Sequence, residues 1–163
     1  MLITIRELTP DDLALIPIWA ANIRAEQFTS RLYSNAFRPE NPQLPDPGAL
    51  AWFAILADGQ PVGHIWLERE ISEIGVATLG ILIGKPELLG KGIGGKAITL
   101  AVAASRERWP LRCIRLRVRK NNARAIACYE RCGFTIVGEG MKDLPDVPPV
   151  AFHVMELLLA TPA

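Results

Sequence analysis

The sequence is poor in the residues that build metal centres and disulfide frameworks. Its 163 residues include only three cysteines and two histidines, and no two cysteines form a CxxC pair. An odd number of thiols without that spacing argues against both a disulfide-stapled fold and a zinc site. Cys113 lies in an apolar run, and Cys128 and Cys132 lie four residues apart. We therefore predict no bound metal and three structural thiols.

Neither sign of charge dominates, and long hydrophobic runs are absent. Eighteen basic residues oppose seventeen acidic ones, a formal net charge of +1. This balance offers no electrostatic reason to expect nucleic acid or an anionic membrane as partner. No apolar run approaches membrane-spanning length, and the first residues enter a strand pattern without a leader-like segment. We expect a soluble cytoplasmic protein with no nucleic-acid and no membrane partner.

The length and the hydrophobic periodicity predict one α/β domain over residues 1–163. Half of the residues are hydrophobic, enough for one sizeable core. The periodicity predicts the order β-α-(α)-β-β-β-α-β-α-β-β. Two segments are predicted to be irregular: Asn22–Leu50 and Met141–Pro149. The regular elements are expected at residues 2–7, 10–21, 51–57, 61–69, 76–83, 94–108, 112–119, 122–132, 134–137 and 151–159.

The most informative segment runs from Leu82 to Lys96 and reads LIGKPELLGKGIGGK. An apolar strand leads there into a glycine-dense turn that opens a helix. Glycines let backbone N–H groups approach an anion, and the positive end of the helix favours negative charge. The segment therefore predicts a phosphate site.

Two nucleotide patterns fit this turn poorly. The spacing Gly90-x-Gly92-x-x-Gly95 matches a dinucleotide fingerprint, but the next strand carries arginines where that fingerprint needs an acid about twenty residues on. The spacing Gly90 to Lys96 matches a P-loop, but Ala97 follows and has no hydroxyl for Mg²⁺. ATP, GTP and dinucleotides are thus disfavoured.

A second motif, LRVRKNNARAIACYERCGF at residues 116–134, follows one helix and one strand later. Together the two motifs resemble the GCN5-related N-acetyltransferase superfamily, and most closely its branch of ribosomal-protein, polyamine and aminoglycoside acetyltransferases. The resemblance implies a mixed, mostly antiparallel central sheet with helices on both faces and splayed strands 4 and 5. It also implies direct attack of a primary amine, from a small molecule or peptide, on acetyl-CoA in a ternary complex, and it allows a homodimer. A non-catalytic CoA-binding or regulatory module is the alternative.

The resemblance assigns the CoA site to the strand, the glycine turn and the second motif. We expect the main chains of Leu82 and Gly84 to meet the acetyl carbonyl and pantetheine amides. Leu89 replaces the family's Gln or Arg, so the loop should bind pyrophosphate through backbone N–H groups. Asn122 is expected either to cap its helix or to reach the cofactor. The full expected CoA set is Leu82, Ile83, Gly84, Leu89, Gly90, Lys91, Gly92, Ile93, Gly94, Gly95, Lys96 and Asn122.

The catalytic assignments rest on proton transfer. Tyr129 is expected to protonate the departing thiolate, because a phenol holds its proton at neutral pH. Thr78 occupies the position where some relatives carry a glutamate base, which leaves that role open. Its candidates are Glu68, Glu70 and Glu73, with His64 and His153 as lesser ones. For the acceptor, Asp46, Asp143 and Asp146 could attract a cationic amine, and Trp52 and Trp66 could line a pocket or belong to the core.

Overall fold

The computed structural model describes residues 1–161 and has one mixed sheet with helices on both faces. Within those residues the strands follow the order β1-β2-β3-β4-β5-β7-β6, and every neighbouring pair is antiparallel except β4 with β5. The predicted fold class and element order are confirmed. The strands are β1 (Ile3–Glu7), β2 (Leu50–Ala57), β3 (Gln60–Arg69), β4 (Val76–Ile83), β5 (Cys113–Arg119), β6 (Thr135–Leu144) and β7 (Val147–Leu158). The helices are α1 (Pro10–Leu13), α2 (Leu15–Asn22), α3 (Ile93–Arg108) and α4 (Ala123–Arg131), with 3-10 turns at Ala25–Gln27 and Pro86–Leu88.

The first helix is broken where one continuous helix was predicted. It begins at Pro10 and stops at Leu13, and α2 resumes at Leu15. Pro17 has no N–H to donate to the Leu13 carbonyl four residues earlier, and its ring crowds that carbonyl. A proline near the start of α2 therefore accounts for the break.

The segment Met141–Pro149 is a hairpin, so the predicted irregular loop is wrong. β6 continues to Leu144 and β7 starts at Val147, with Asp146 in the left-handed region of the turn (φ 61°). The strand was not predicted there because Pro148 and Pro149 are atypical of a strand. They lie in β7 between the pairs Leu144↔Val147 and Lys142↔Val150, where the ladder is irregular, and before Phe152, at which β7 begins to pair with β5. Proline is tolerated at such places because no ladder N–H is lost.

The sheet separates two apolar cores. One, on what we call the α3 face, packs α3 and α4 against β-strand residues such as Ile65, Leu79 and Leu116. The other, on the α2 face, gathers Trp19, Trp52 and Trp66 under α2 and the segment before β2. Because side chains alternate along a strand, odd residues of β4 lie on the α3 face and even residues on the α2 face.

No helix within residues 1–161 combines the length and apolar composition that crossing a membrane requires.

Candidate active site

β4 and β5 part after three residue pairs. They are matched at Val76↔Cys113, Ala77↔Ile114 and Thr78↔Arg115. Beyond Thr78, β4 stays paired with β3 up to Ile83, and β5 stays paired with β7 up to Arg119. The two strands therefore enclose a gap whose apex is the Thr78↔Arg115 pair, and the predicted splay is confirmed.

The main-chain groups that border the gap belong to the odd residues of β4. The Gly84 N–H donates to the Val62 carbonyl (2.8 Å), and the Val76 carbonyl accepts from the Glu70 N–H (2.9 Å). A Cβ on Gly63 would lie 2.1 Å from the Leu82 carbonyl oxygen, so that carbonyl also turns toward β3. In an antiparallel ladder, alternate residues direct both main-chain groups to the same neighbour. Leu79, Ile81 and Ile83 are thus the residues whose N–H and C=O groups face β5, across the gap.

The register does not favour the expected contact of the Leu82 and Gly84 main chains with the cofactor, because the Leu82 carbonyl and the Gly84 N–H are directed to β3. Gly84 is a glycine for another reason: a Cβ there would lie 2.1 Å from Cβ and Cγ of Trp19. The Gly84 carbonyl accepts from Nδ2 of Asn22 (3.3 Å). Gly84 therefore anchors α2 to the end of β4. Ile83 remains a predicted cofactor contact, and its main-chain groups face β5 across the gap.

The glycine turn ends in a helix terminus without a cap. Gly92 is the N-cap residue of α3 in the left-handed region (φ 80°), and no side chain caps the helix. The first turn contains no acid, and the first intrahelical bond runs from the Lys96 N–H to the Gly92 carbonyl (3.3 Å). The N–H groups of Ile93, Gly94 and Gly95 precede that bond and add to the positive end of the helix dipole. This terminus suits an anion.

The glycines of the turn serve two purposes. Gly90 and Gly92 have positive φ (76° and 80°), and a Cβ on either would meet nothing within 4 Å, so open space lies above them. A Cβ on Gly94 would lie 3.3 Å from Sγ of Cys128, so the lack of a side chain at Gly94 allows α4 to pack closely against the start of α3. Of the remaining predicted contacts, Ile93 is buried in the core, Lys91 and Lys96 are exposed, and the Leu89 N–H closes the preceding 3-10 turn.

Tyr129 projects from α4 into the α3-face core. Its ring lies 5.8 Å from that of Phe134, and the residue is 9% exposed. Burial raises the pKa of the phenol, with smaller contributions from Cys128 and Cys132, so Tyr129 keeps its proton at physiological pH. A protonated phenol is suited to donate a proton.

Asn122 caps α4. Its Oδ1 accepts from the Ala125 N–H (3.3 Å), which is one of the two roles expected for it. The side-chain amide Nδ2 takes no part in that cap and remains the group that a ligand could engage.

The three candidate carboxylates differ in their surroundings. Glu68 pairs with Thr78 across β3 and β4, at the apex of the gap, and accepts from the Ser34 hydroxyl. Glu70 accepts from the Thr78 hydroxyl. Glu73 receives two hydrogen bonds from Arg115 (2.9 and 3.0 Å), and these bonds lower the pKa of its carboxyl. Glu73 is accordingly a weaker proton acceptor than an ordinary glutamate.

The lesser candidates lie away from the gap. His64 is fully buried, its Nδ1 accepts from Nε1 of Trp52 (3.0 Å), and burial lowers the pKa of the imidazole to about 3. His64 therefore stays neutral and inaccessible. Trp52 and Trp66 belong to the core, and His153 pairs with Val118 and Glu139 instead of lining the α2 face. Among residues 1–161, no three His, Cys, Asp or Glu side chains are grouped to hold a metal ion.

The α2 face beside the gap carries basic residues that the sequence analysis did not select. Arg117 and Arg119 follow Arg115 on this face of β5, and Lys142 projects from the same face of β6. The alternating arginines are visible in the sequence, but their face depends on the register with β7. Asp46 and Asp143, expected near the acceptor, are exposed, and Asp46 accepts from the Gly48 N–H in its own turn.

Known proteins are similar to this chain in sequence and in fold. The family model described as the acetyltransferase (GNAT) family matches residues 19–134, which include the gap, the glycine turn and α4. A peptidyl-lysine N-acetyltransferase of Salmonella typhimurium is 29% identical over 136 residues, covering 79% of this chain and 80% of that protein. An aminoglycoside N(6')-acetyltransferase type 1 of Klebsiella pneumoniae is 25% identical over 91% of this chain and 80% of its own length. The solved structure of a spermidine N-acetyltransferase from Vibrio cholerae, in complex with CoA and spermine, matches with a TM-score of 0.74 at 24% identity, over 96% of this chain and 95% of that one.

Proposed function

The chain belongs to the acetyltransferase (GNAT) family, and on that premise we propose how its own residues transfer an acetyl group from acetyl-CoA to a primary amine of a small molecule or peptide. The observation that carries the proposal is the gap between β4 and β5, which opens toward the uncapped end of α3. Direct attack by the amine in a ternary complex is consistent with thiols that are buried or half-buried.

The binding groups for the cofactor are main-chain groups. The N–H groups of Ile93, Gly94 and Gly95 suit the pyrophosphate, because they have no hydrogen-bond partner within residues 1–161 and lie at the positive end of a 16-residue helix. The N–H and C=O groups of Leu79, Ile81 and Ile83 would replace lost strand partners with pantetheine amides. Bound acetyl-CoA supplies the acetyl thioester that the amine attacks. Leu89 has no side-chain donor, so binding depends on these backbone groups.

Tyr129 is the proposed proton donor to the departing sulfur. Burial in the α3-face core keeps the phenol protonated, so Tyr129 holds a proton that it can donate. Because the raised pKa keeps the phenol protonated at neutral pH, Tyr129 can deliver its proton to the sulfur as the C–S bond breaks. The role demands no covalent intermediate on the enzyme.

Glu68 is the proposed proton acceptor for the amine, directly or through one water. It shares the α2 face with the apex of the gap, whereas α3 and α4 cover the other face. Glu68 and Glu70 each accept a hydrogen bond from a hydroxyl, of Ser34 and Thr78, whereas Glu73 is held by two bonds from Arg115. Glu68 is preferred because it lies directly opposite Thr78, at the apex of the gap.

A substitution pair at Gly95 tests the cofactor seat. Gly95 is the third residue of α3, and a Cβ there would lie 3.7 Å from Sγ of Cys132, an ordinary contact. Gly95→Asp places a negative charge at the helix start, and Gly95→Asn has nearly the same shape without the charge. We expect the Kd for CoA, measured by isothermal titration calorimetry, to be about tenfold higher for the aspartate variant than for the asparagine variant, roughly 1.4 kcal/mol. Equal Kd values for CoA in the two variants would show that the start of α3 does not bind the pyrophosphate.

Turnover is measured in the same preparations by thiol release from acetyl-CoA with a panel of primary amines. Wild-type turnover with at least one amine is the expected result. CoA binding without turnover on any amine, together with no effect of Tyr129→Phe, would favour a non-catalytic CoA-binding module.

A reducing compartment such as the cytoplasm is the proposed location. Cys113, Cys128 and Cys132 are free thiols, and burial raises the pKa of each. Thiols that remain unpaired are usual where the surroundings are reducing.

A further inference from the structure

Four basic side chains gather on the α2 face beside the gap. Arg117 and Arg119 project from β5, Lys142 from β6, and Arg31 from the segment between α2 and β2. β7 lies between β5, which carries Arg117 and Arg119, and β6, which carries Lys142. Arg119 is opposite Phe152, Phe152 is opposite Gly140, and Lys142, two residues beyond Gly140, is opposite Val150. We call these four residues the cationic cluster.

Carboxylates do not neutralise the cationic cluster. Within residues 1–161, no carboxylate oxygen lies within 4.0 Å of any of its four charged groups. The neighbouring Arg115 forms ion pairs with both Glu73 and Glu156. Acidic residues of this face therefore pair with Arg115 and not with the cationic cluster. Arg119 instead donates to the Ser30 hydroxyl (3.0 Å) and the Glu26 carbonyl (3.0 Å), and Arg117 lies 5.1 Å from the ring centre of Phe152.

The cluster is partly shielded from water, which makes its charge costly. Arg31, Arg119 and Lys142 are half-buried. Burial lowers the pKa of Lys142, and the positive charges of Arg31, Arg117 and Arg119 lower it further. Like charges held together in a partly desolvated place are unfavourable unless an anion binds there.

The cluster borders the route of the acceptor. Arg117 and Arg119 directly follow Arg115, which forms the last pair with β4, so both flank the open part of the gap. They share the α2 face with Glu68, the proposed proton acceptor, and lie opposite the face covered by α3 and α4. An amine that enters from the α2 face meets these charges.

Phe152 supplies an apolar surface within the cluster. A Cβ on Gly140 would lie 2.6 Å from its ring, so the glycine lets the ring lie flat over β6. A short carbon skeleton could pack on this ring while the guanidinium groups engage a charged end, because arginine forks match the oxygens of carboxylates and phosphates.

We propose that the acceptor is a small primary amine that also carries an oxyanion, a carboxylate or a phosphate, which Arg117, Arg119, Lys142 and Arg31 bind beside the gap. The proposal rests on the proposed acetyl transfer and specifies its substrate class. A polycationic acceptor would be repelled by the same charges. Positive neighbours also favour the neutral form of the bound amine, which is the form that attacks.

Matched amines test the proposal. The panel pairs O-phosphoethanolamine with ethanolamine and γ-aminobutyrate with 4-aminobutanamide, and adds spermidine as a polycation. We expect kcat/KM in thiol release to be at least about tenfold higher for the anionic member of a pair, a difference of roughly 1.4 kcal/mol. The two pairs distinguish a phosphate from a carboxylate. Preference for the neutral amines or for spermidine would overturn the proposal and leave the proposed acetyl transfer standing.

Charge-removing variants and a binding measurement complete the test. Arg117→Gln and Lys142→Gln should each reduce the preference for the anionic amine at least about threefold. Lys120→Gln is the control and should leave that preference unchanged, because Lys120 is exposed and forms an ion pair with Glu139 outside the cluster. Inorganic phosphate is titrated separately into protein saturated with CoA, which fills the α3 terminus. Weaker phosphate binding in the Arg117→Gln, Lys142→Gln double variant is expected. Equal binding by wild type and double variant would refute the cluster as an anion site, even if no amine in the panel is acetylated.

Discussion

Replacing Gly84 with alanine tests why the chain has a glycine at the end of β4. Its φ is not in the left-handed region, so alanine can adopt the backbone. The added Cβ would nevertheless lie 2.1 Å from Cβ and Cγ of Trp19, which is 2% exposed. Because the Trp19 Cβ is attached to the backbone of α2, that part of α2 must move by about 1.3 Å to reach the 3.4 Å of an ordinary contact. Overpacking of this kind destabilises a core by about 1–3 kcal/mol. For a chain of this length, 3 kcal/mol corresponds to a fall in Tm of roughly 6–12 °C.

The measurement is thermal unfolding of the ligand-free protein, followed by circular dichroism, together with the Kd for CoA at a temperature where both proteins are folded. Gly138→Ala is the matched control, because a Cβ there meets only Val154, at 3.9 Å. We expect the Tm of Gly84→Ala to fall and that of Gly138→Ala to change little. The Kd for CoA should change less than about threefold, since the main-chain groups of Gly84 are engaged by Val62 and Asn22.

A different result would point to the cofactor. If Gly84→Ala kept the wild-type Tm and weakened CoA binding strongly, the glycine would serve the approach of the ligand, as its position after the strand first suggested. The contact with Trp19 would then not explain it.

Further substitutions address catalysis and stability. Tyr129→Phe should lower kcat by about a hundredfold with little change in KM or Tm, because this substitution removes only the hydroxyl; an unchanged kcat would exclude Tyr129 as the proton donor. Glu68→Gln should lower kcat/KM more than Glu73→Gln, whose carboxyl is held by Arg115, and the reverse order would reassign the base. Burial raises the pKa of Asp12, but hydrogen bonds from Arg6 and Thr9 outweigh it, and the net shift is downward. A lowered carboxyl pKa stabilises the fold above the ordinary carboxyl range, near pH 4, and this stabilisation is lost as pH falls through the folded pKa. Asp12→Asn should thus cost about 1–2 kcal/mol in urea unfolding at pH 7 and less at pH 3, whereas equal losses at both would contradict the assignment.

The sequence by itself determined those features that depend on neighbours along the chain. β4 and α3 are recognisable from their hydrophobic periods, and Asn122 from its position before an amphipathic helix. The glycine turn before α3 and the tyrosine of α4 are parts of two motifs whose order identified the family. Such features are readable because strand alternation, helical spacing and capping are local.

Only the tertiary structure decided what depends on register and packing between distant segments. The pairing of β4 with β3 determined that the main-chain groups of Leu79, Ile81 and Ile83 face the gap, and that the Leu82 carbonyl and the Gly84 N–H face β3. The packing of Trp19 of α2 against the end of β4 explained why residue 84 is a glycine. The hydrogen bonds from Arg115 lowered the pKa of Glu73 and made it a weaker base. The pairing of β7 with β5 and β6 brought Arg117, Arg119 and Lys142 to one face. A shift of one residue in any of these ladders would reverse which side chains face the gap, and no pattern within a single strand specifies that shift.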